Sequence, residues 1–410
     1  MSVAPTARTL RVAPPAGRIR VLERTAFAIL ERALAHLVGG TLEVRLPGGA
    51  ERRFGSGPPV SMEIHDSSFF RRVATRGKLG VGESYTAGEW DSDDLVALFE
   101  LLLRNAASAA ERHARVRSLL EARPRLSRRN GLPGARRNIS YHYDLGNDLF
   151  GLMLDETMTY SCAVFESDDE PLADAQRRKY RRICEKLRLG PDDRVLEIGC
   201  GWGGFATFAV QEYGCSVTGL TISAEQAALA RERTAGLDIR IVEEDYRLHE
   251  GSYTKIASIE MLEAIGERQF PTYFEAIDRL LEPGGVACVQ TILVPDDRWN
   301  CYRKAPDWIE RYVFPGCLIP SLSALTKAMT GSSRLMVHGV DEIGPHYAET
   351  LRRWRASFHE RIDEVRALGY DERFERTWNF YLSFCEAAFR TRALRDVHLT
   401  LTRPFNEALV

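Results

Sequence analysis

The sequence predicts a two-domain α/β protein: a doubly wound, mostly parallel sheet preceded by a smaller mixed α/β domain. Three observations predict it. The chain has 410 residues, 44% hydrophobic and 27% charged, which is more than one ordinary core holds and too apolar for disorder. Strand and helix patterns alternate from Asp193 to Leu293. A glycine-rich turn follows the first of those strands, where open α/β sheets bind their ligands.

The elements follow in order. Residues 21–38 place Leu22, Ala26, Ile29, Leu30, Ala33, Leu34 and Leu37 on one stripe at helical spacing, an amphipathic helix. TLEVRLPGGAERRF reads as a hairpin around Pro47-Gly48-Gly49. Asp91-Ser92 are expected to cap a helix through Leu95, Leu98, Phe99 and Leu102. These form the N-terminal domain, residues 1–110. Residues 111–138 carry nine arginines and one histidine against two glutamates, with Pro124, Gly131, Pro133 and Gly134 breaking any long helix. This linker reads either as a solvated connection or as a patch for anionic phospholipid head groups.

Residues 139–410 then form the larger domain. Its strands are RVLEIG, SVTGLTI, IRIVEED, KIASIEML and VACVQTIL, with helices expected between the first four and over Phe274 to Leu281. The stretch 294–348 interrupts the alternation with Trp299, Tyr302, Trp308, Tyr312, Phe314 and Pro315, a helical insertion.

Composition excludes several classes. The 55 basic and 57 acidic residues give a formal charge of -2, without the basic excess of a dedicated nucleic-acid binder. No apolar stretch approaches the ~18–20 residues that cross a bilayer. The N-terminus lacks an apolar signal core, so a cytoplasmic protein is expected. Eight scattered cysteines suit free thiols rather than disulfides or a metal site.

The first turn, Glu197-Ile198-Gly199-Cys200-Gly201-Trp202-Gly203-Gly204, lets the backbone approach a ligand at a helix N-terminus. Its GxGxxG spacing alone suggests a dinucleotide. That reading wants an acid about 20 residues on for the ribose, whereas the second strand ends Gly219-Leu220-Thr221.

Several long segments in one order carry a more specific likeness. YHYDLGNDLFGLMLDETMTYSCAVFE (Tyr141 to Glu166), LEIGCGWGGFA, LTISAEQ, SIEMLEAIG, RYVFPGCLIPS and YLSFCEAAFR resemble the cyclopropane-fatty-acyl-phospholipid synthase family. Its members use S-adenosylmethionine (SAM) to alkylate the cis double bond of phospholipid acyl chains. The resemblance implies a class I SAM-methyltransferase fold, with the insertion covering the acyl chain. It implies a SAM site lined by Tyr160, Ser161, Leu196, Glu197, Gly199, Cys200, Gly201, Gly203, Thr221, Ser223, Gln226, Asp245 and Tyr246. It also implies a bicarbonate ion acting as base, held by Cys162, Glu263 and Tyr347 near the Ile292 backbone, and a cysteine associated with activity, Cys385.

Two positions depart from that pattern. Glu263-Ala264-Ile265-Gly266 stands where such synthases commonly read Glu-His-Val-Gly, and Gln290 stands where a histidine would bind the ion. Both departures resemble a branch that makes methylene- or methyl-branched, tuberculostearic-type chains. The chemistry is a weak nucleophile, the alkene, held against an electrophilic methyl with water excluded. Negative charge or π-faces then stabilise the cation, with Glu263, Tyr160, Tyr312 and Tyr347 as candidates, and the base that removes a proton decides the product. The expected partners are an unsaturated phospholipid and the anionic inner face of a membrane, with peripheral association; a homodimer stays open. The competing reading is a non-catalytic lipid-binding or regulatory protein that keeps the fold.

Overall fold

The computed structural model describes residues 27–112 and 146–409, apart from 29, 33, 305 and 306. The chain divides into two compact units, Met1–Asn105 and Ala106–Val410. All but the first two residues of the arginine-rich segment 111–138, and the start of the Tyr141 to Glu166 motif, lie outside the described residues.

The first unit carries a four-stranded sheet ordered β2-β1-β3-β4. Strands β1 (Gly40–Arg45) and β2 (Glu51–Ser56) form the expected hairpin, paired from Gly40↔Ser56 to Arg45↔Glu51. β3 (Pro59–Ile64) runs parallel to β1, and β4 (Trp90–Asp91) closes the edge. Leu42, Val44, Met62 and Ile64 alternate inward to join Phe69, Phe70, Trp90, Leu98 and Phe99 in the core, as period-two strands against helices require. Of the expected 21–38 helix, the described residues between 27 and 34 are helical. The cap of helix Leu95–Arg112 differs from expectation. Asp94 accepts the Ala97 N–H at 2.9 Å, while Asp91 lies in β4 beside His65 and Ser92 donates to the Ser61 carbonyl.

The second unit is built on a seven-stranded sheet ordered β10-β11-β9-β8-β5-β6-β7. The five expected strands are β5 (Arg194–Ile198), β6 (Ser216–Thr221), β7 (Ile239–Glu243), β8 (Tyr253–Ile259) and β9 (Leu281–Leu293). They run parallel. β10 (Met336–Glu342) and β11 (Arg395–Thr402) extend the sheet, β11 running antiparallel to both its neighbours. Two corrections to the expected layout follow. No helix separates β7 from β8, because only nine residues connect them and Gly251 at φ +141° turns the chain. The stretch 294–348 is not wholly an insertion, since its last part supplies β10. The helices Asp296–Tyr302, Trp308–Tyr312 and Leu322–Ser332 occupy the rest.

Helices cover both faces of this sheet. On one, Val195, Val217, Val286 and Cys288 pack against Tyr180, Ile183, Leu187, Phe205 and Ala209. On the other, Leu196, Ile198, Ile256, Val289, Val397 and Leu399 pack against Phe274, Ile277, Leu325 and Met329. The order reverses between β5 and β8, which opens a crevice at the carboxyl ends of those two strands. Toward that crevice the first face changes character: beyond Val286 and Cys288 on β9 comes Gln290, opposite His398, with Asp396 two residues further along β11. All three polar side chains are buried.

The crevice floor depends on close backbone contact at Gly204. A Cβ there meets the Tyr180 hydroxyl at 2.6 Å and the Thr157 carbonyl at 2.7 Å. Gly204→Ala is therefore expected to destabilise the protein by about 1–3 kcal/mol through overpacking, read as a lower urea midpoint with an unchanged m-value.

Candidate active site

The turn after β5 is pinned to β6: the Gly199 and Cys200 amides both donate to the Leu220 carbonyl at 2.9 Å. Gly199, Gly201 and Gly203 take φ values of +85°, +52° and +82°, a region that side chains disfavour. Their surroundings separate their roles. A Cβ on Gly199 or Gly203 meets Met261 or Thr234 within 3 Å, whereas one on Gly201 meets nothing within 4 Å. Space is left above Gly201, at the mouth of the crevice.

Beside it, Glu197 is buried and its Oε2 has no hydrogen-bond partner. Burial pushes its carboxyl well above the usual range. The Tyr246 hydroxyl is likewise buried and unpartnered. These orphaned polar atoms and the open glycine fit a polar ligand such as SAM. Other expected SAM residues are otherwise engaged. Thr221 donates to Gln226 Oε1 at 3.0 Å, and Ser223 caps the next helix by accepting the Gln226 amide. Asp245 is held bidentate by Arg247, and Ser161 accepts from Lys179 at 2.8 Å. The Leu196 and Cys200 side chains are buried in apolar clusters, which leaves only their backbone for a ligand. Tyr160 stacks on Trp354 and shares a 2.8 Å hydrogen bond with Tyr381.

The second group lies at the end of β8 and centres on Glu260, which was not among the expected site residues. Its Oε1 accepts the Cys162 amide at 2.9 Å and Gln290 Nε2 at 2.8 Å, and its Oε2 accepts the Tyr347 hydroxyl at 2.6 Å. Gln290 Nε2 also reaches Asp396 Oδ2 at 3.0 Å, and its Oε1 meets His398 Nε2 at 3.2 Å. Tyr347 is fixed in turn by stacking on Phe389. Thus Cys162, Gln290 and Tyr347 converge as expected, but on a side chain.

Glu263 points elsewhere. Its Oε1 accepts Thr291 Oγ1 and the Ile292 amide, and its Oε2 is buried without a partner. The donors expected for a bicarbonate ion are therefore already taken up by the two glutamates, and the set does not fit a further anion. Cys385 lies one turn beyond Tyr381 on helix Glu372–Arg390 and joins none of these hydrogen bonds. Burial raises its thiol, as it does the Cys162 thiol.

The electrostatics are those of charges withdrawn from water. Burial raises Glu260 and Asp396 together; the Tyr347 bond draws Glu260 back, while Glu260 and Glu263 push Asp396 further up. Lys179, fully buried, faces these carboxylates with its ammonium pushed down to about 8 by burial. His398 is pushed down to about 3 by the same cause and stays neutral. Glu260, Asp396, Lys179 and His398 are the functional candidates that sequence reasoning missed. The available signal was polar side chains inside runs that otherwise read as core strand, as in Asp396-Val397-His398-Leu399.

Comparison with known proteins agrees with this layout. Residues 132–399 match the family described as mycolic acid cyclopropane synthetase. The chain is 40% identical over 361 residues to the tuberculostearic acid methyltransferase of Mycobacterium tuberculosis, a match covering 84% of this chain and 83% of that one. It is 37% identical over 351 residues to the cyclopropane-fatty-acyl-phospholipid synthase of Escherichia coli K12, covering 86% and 90%. Among solved structures, a mycolic acid cyclopropane synthase complexed with SAH and CTAB superposes with a TM-score of 0.60 at 32% identity, over 65% of this chain and 97% of that one.

The buried carboxyl of Glu263 makes stability depend on pH. It ionises at about 8 when folded against an ordinary 4.5, so the folded chain keeps a proton that the unfolded chain releases between those values. Its contribution is full below pH 4.5 and is lost as pH rises to about 8. Urea midpoints across this window should fall less steeply in Glu263→Gln than in the wild type.

Proposed function

The chain belongs to the mycolic acid cyclopropane synthetase family, and from that membership we propose that it alkylates the cis double bond of unsaturated acyl chains in phospholipids. It is a SAM-dependent C-methyltransferase. The observation that carries the reading is the pairing of an open glycine turn and the unpartnered Glu197 Oε2 with a carboxylate centre, at the adjacent carboxyl ends of β5 and β8.

Bound SAM supplies an electrophilic methyl group. Glu197 and the backbone of Gly199 to Gly203 are the groups proposed to hold it, with Tyr160, Tyr246 and the Thr221 to Gln226 helix start closing its sides. The alkene is a poor nucleophile, so the chain's work is positioning and exclusion of water. The stacked rings of Tyr160, Trp354, Tyr347 and Phe389 present π-faces suited to a passing carbocation. Cys162, Gln290 and Tyr347 act as positioning residues for the carboxylate between them, and Glu263 holds the Ile292 backbone in place.

Two products share this cation. Proton loss from the transferred methyl with ring closure gives a cyclopropane. A hydride shift to the neighbouring carbon before that loss gives an exomethylene chain. A saturated methyl branch needs a further hydride and proton that SAM does not carry, so a separate reductase would have to complete it.

No helix among the described residues is long and apolar enough to cross a membrane. We propose separately that the enzyme docks on the inner membrane face as a peripheral protein through residues 111–138, a reading supported by their nine arginines against two glutamates. Docking of this kind should weaken with salt. Sedimentation with phosphatidylglycerol vesicles should fall as salt rises and fall again when Arg128, Arg129, Arg136 and Arg137 are changed to glutamine. Binding indifferent to both would leave the segment as a linker.

The direct test is mass spectrometry of dioleoyl phosphatidylglycerol after incubation with enzyme and SAM. One added CH2 per modified chain is expected, with S-adenosylhomocysteine released in equal amount. Calorimetry tests the cofactor site separately. Gly201→Val should lose SAM binding while the far-ultraviolet circular dichroism is kept, because a Cβ there meets no protein atom and the strain of a side chain at φ +52° falls on the turn itself. Unchanged affinity would remove the assignment.

A further inference from the structure

Glu260 follows directly after β8 with φ +49°. That left-handed conformation is disfavoured for a residue with a side chain, yet the backbone is fixed there by the Glu260 amide donating to the Gln290 carbonyl at 2.9 Å. The consequence is the direction of the side chain. Its two oxygens receive the Cys162 amide, Gln290 Nε2 and the Tyr347 hydroxyl, all between 2.6 and 2.9 Å. A bicarbonate ion would present the same features to these donors: a planar carboxylate, two oxygens and one negative charge. The side chain occupies the ion's place and brings the ion's chemistry with it.

Its surroundings favour a working base over a sealed structural acid. Glu260 is half-buried rather than enclosed, whereas Asp396 behind it is fully buried. Gln290 Nε2 contacts both carboxyls. Burial and the neighbouring Glu260 and Glu263 hold the Asp396 carboxyl well above its usual range, whereas the Tyr347 and Cys162 bonds draw Glu260 back toward its charged form. Lys179 supplies a buried cation facing the pair.

We propose that the Glu260 carboxylate is the proton acceptor of the alkylation and takes the place of bicarbonate, so that the enzyme turns over without that ion. The inference rests on the alkylation reading above. The balance is closed within the site. As the methyl–sulfur bond breaks, its electron pair stays on sulfur, and the alkene π pair forms the new carbon–carbon bond. The adjacent carbon becomes cationic. Glu260 then takes a proton from the transferred methyl; the released C–H pair closes the ring or, where a hydride has first moved from the methyl-bearing carbon to the adjacent cationic carbon, forms the exomethylene double bond. No oxidant or reductant is consumed. The proton passes from the half-exposed Glu260 to water once the product has left.

The experiment uses the full chain with SAM and dioleoyl phosphatidylglycerol vesicles, in buffer stripped of carbon dioxide under argon, with and without added bicarbonate. Wild-type turnover should be the same in both within about twofold. Glu260→Gln keeps the size and loses the basicity; kcat should fall by about 10²–10⁴-fold, with SAM affinity by calorimetry unchanged. Glu260→Ala vacates the three donors, and bicarbonate or formate should restore part of its turnover while leaving Glu260→Gln inactive. A wild type that needs added bicarbonate would overturn the proposal, as would a Glu260→Gln variant of near-normal kcat. A wild type that binds SAM yet never modifies the lipid would instead sink the alkylation reading, so the two failures are distinguishable.

Discussion

The second unit is organised around one buried carboxylate and the three donors that satisfy it. An anion half-withdrawn from water is tolerable only when each of its oxygens is bonded, and those of Glu260 are bonded by groups from separate parts of the chain. Cys162 comes from the segment before helix Leu172–Leu187, Gln290 from β9, and Tyr347 from helix Gly344–Glu360. The β8–β9 register that sets Ile259 opposite Gln290 brings one donor into reach. The antiparallel pairing of β11 with β9 brings Asp396 and His398 behind it. A slip of one residue in either register would turn these polar groups into the opposite, apolar face. The polar centre and the apolar core therefore specify the same alignment.

The electrostatic cost of this centre is spread over several groups. Burial holds the Asp396 carboxyl well above its usual range and keeps His398 neutral, and the buried Lys179 ammonium faces the carboxyl groups. Lys179 also sits 4.4 Å from the centre of the Tyr180 ring and donates to Ser161. The ammonium thus links the wall of the expected cofactor crevice to the carboxylate centre. A site that handles a sulfonium and then a carbocation gains from net negative charge held in a dry, preorganised frame. Of the three carboxyl groups, Glu260 is the one whose three donors favour the charged form.

Much of this architecture was legible in the sequence, and the rest was hidden for physical reasons. Strand-turn-helix periodicity located β5 to β9 and the glycine turn, because parallel strands buried on both faces read as short apolar runs. The Pro47-Gly48-Gly49 hairpin was legible because its turn residues demand that conformation. β10 was missed because its exposed, mixed residues carry little alternation, and β11 because its polar positions face protein instead of water. A helix was expected between β7 and β8 where nine residues cannot hold a helix and both its connections. Asp94 displaced Asp91-Ser92 as the cap because β4 claims Asp91 for its pairing with Glu63 at the sheet edge. Glu260 was invisible because the neighbouring Glu263 matched the family pattern, and spacing alone does not tell which of two glutamates three residues apart turns inward.

The distribution of unsatisfied groups separates the two halves of the site. Around the glycine turn, Glu197 Oε2 and the Tyr246 hydroxyl are buried without partners, and the space over Gly201 is open. Buried polar atoms left unpaired are costly, so this half is shaped for a ligand that completes it. Around Glu260 the reverse holds: each carboxylate oxygen already has a donor, and the amide linking it to Asp396 is used on both sides. A conformation favoured by glycine is instead occupied by a glutamate, and the strain is offset by three hydrogen bonds. One half of the crevice awaits its chemistry from a diffusible cofactor. The other has its acid–base group attached to the backbone, where its position relative to the alkene is set by folding rather than by binding.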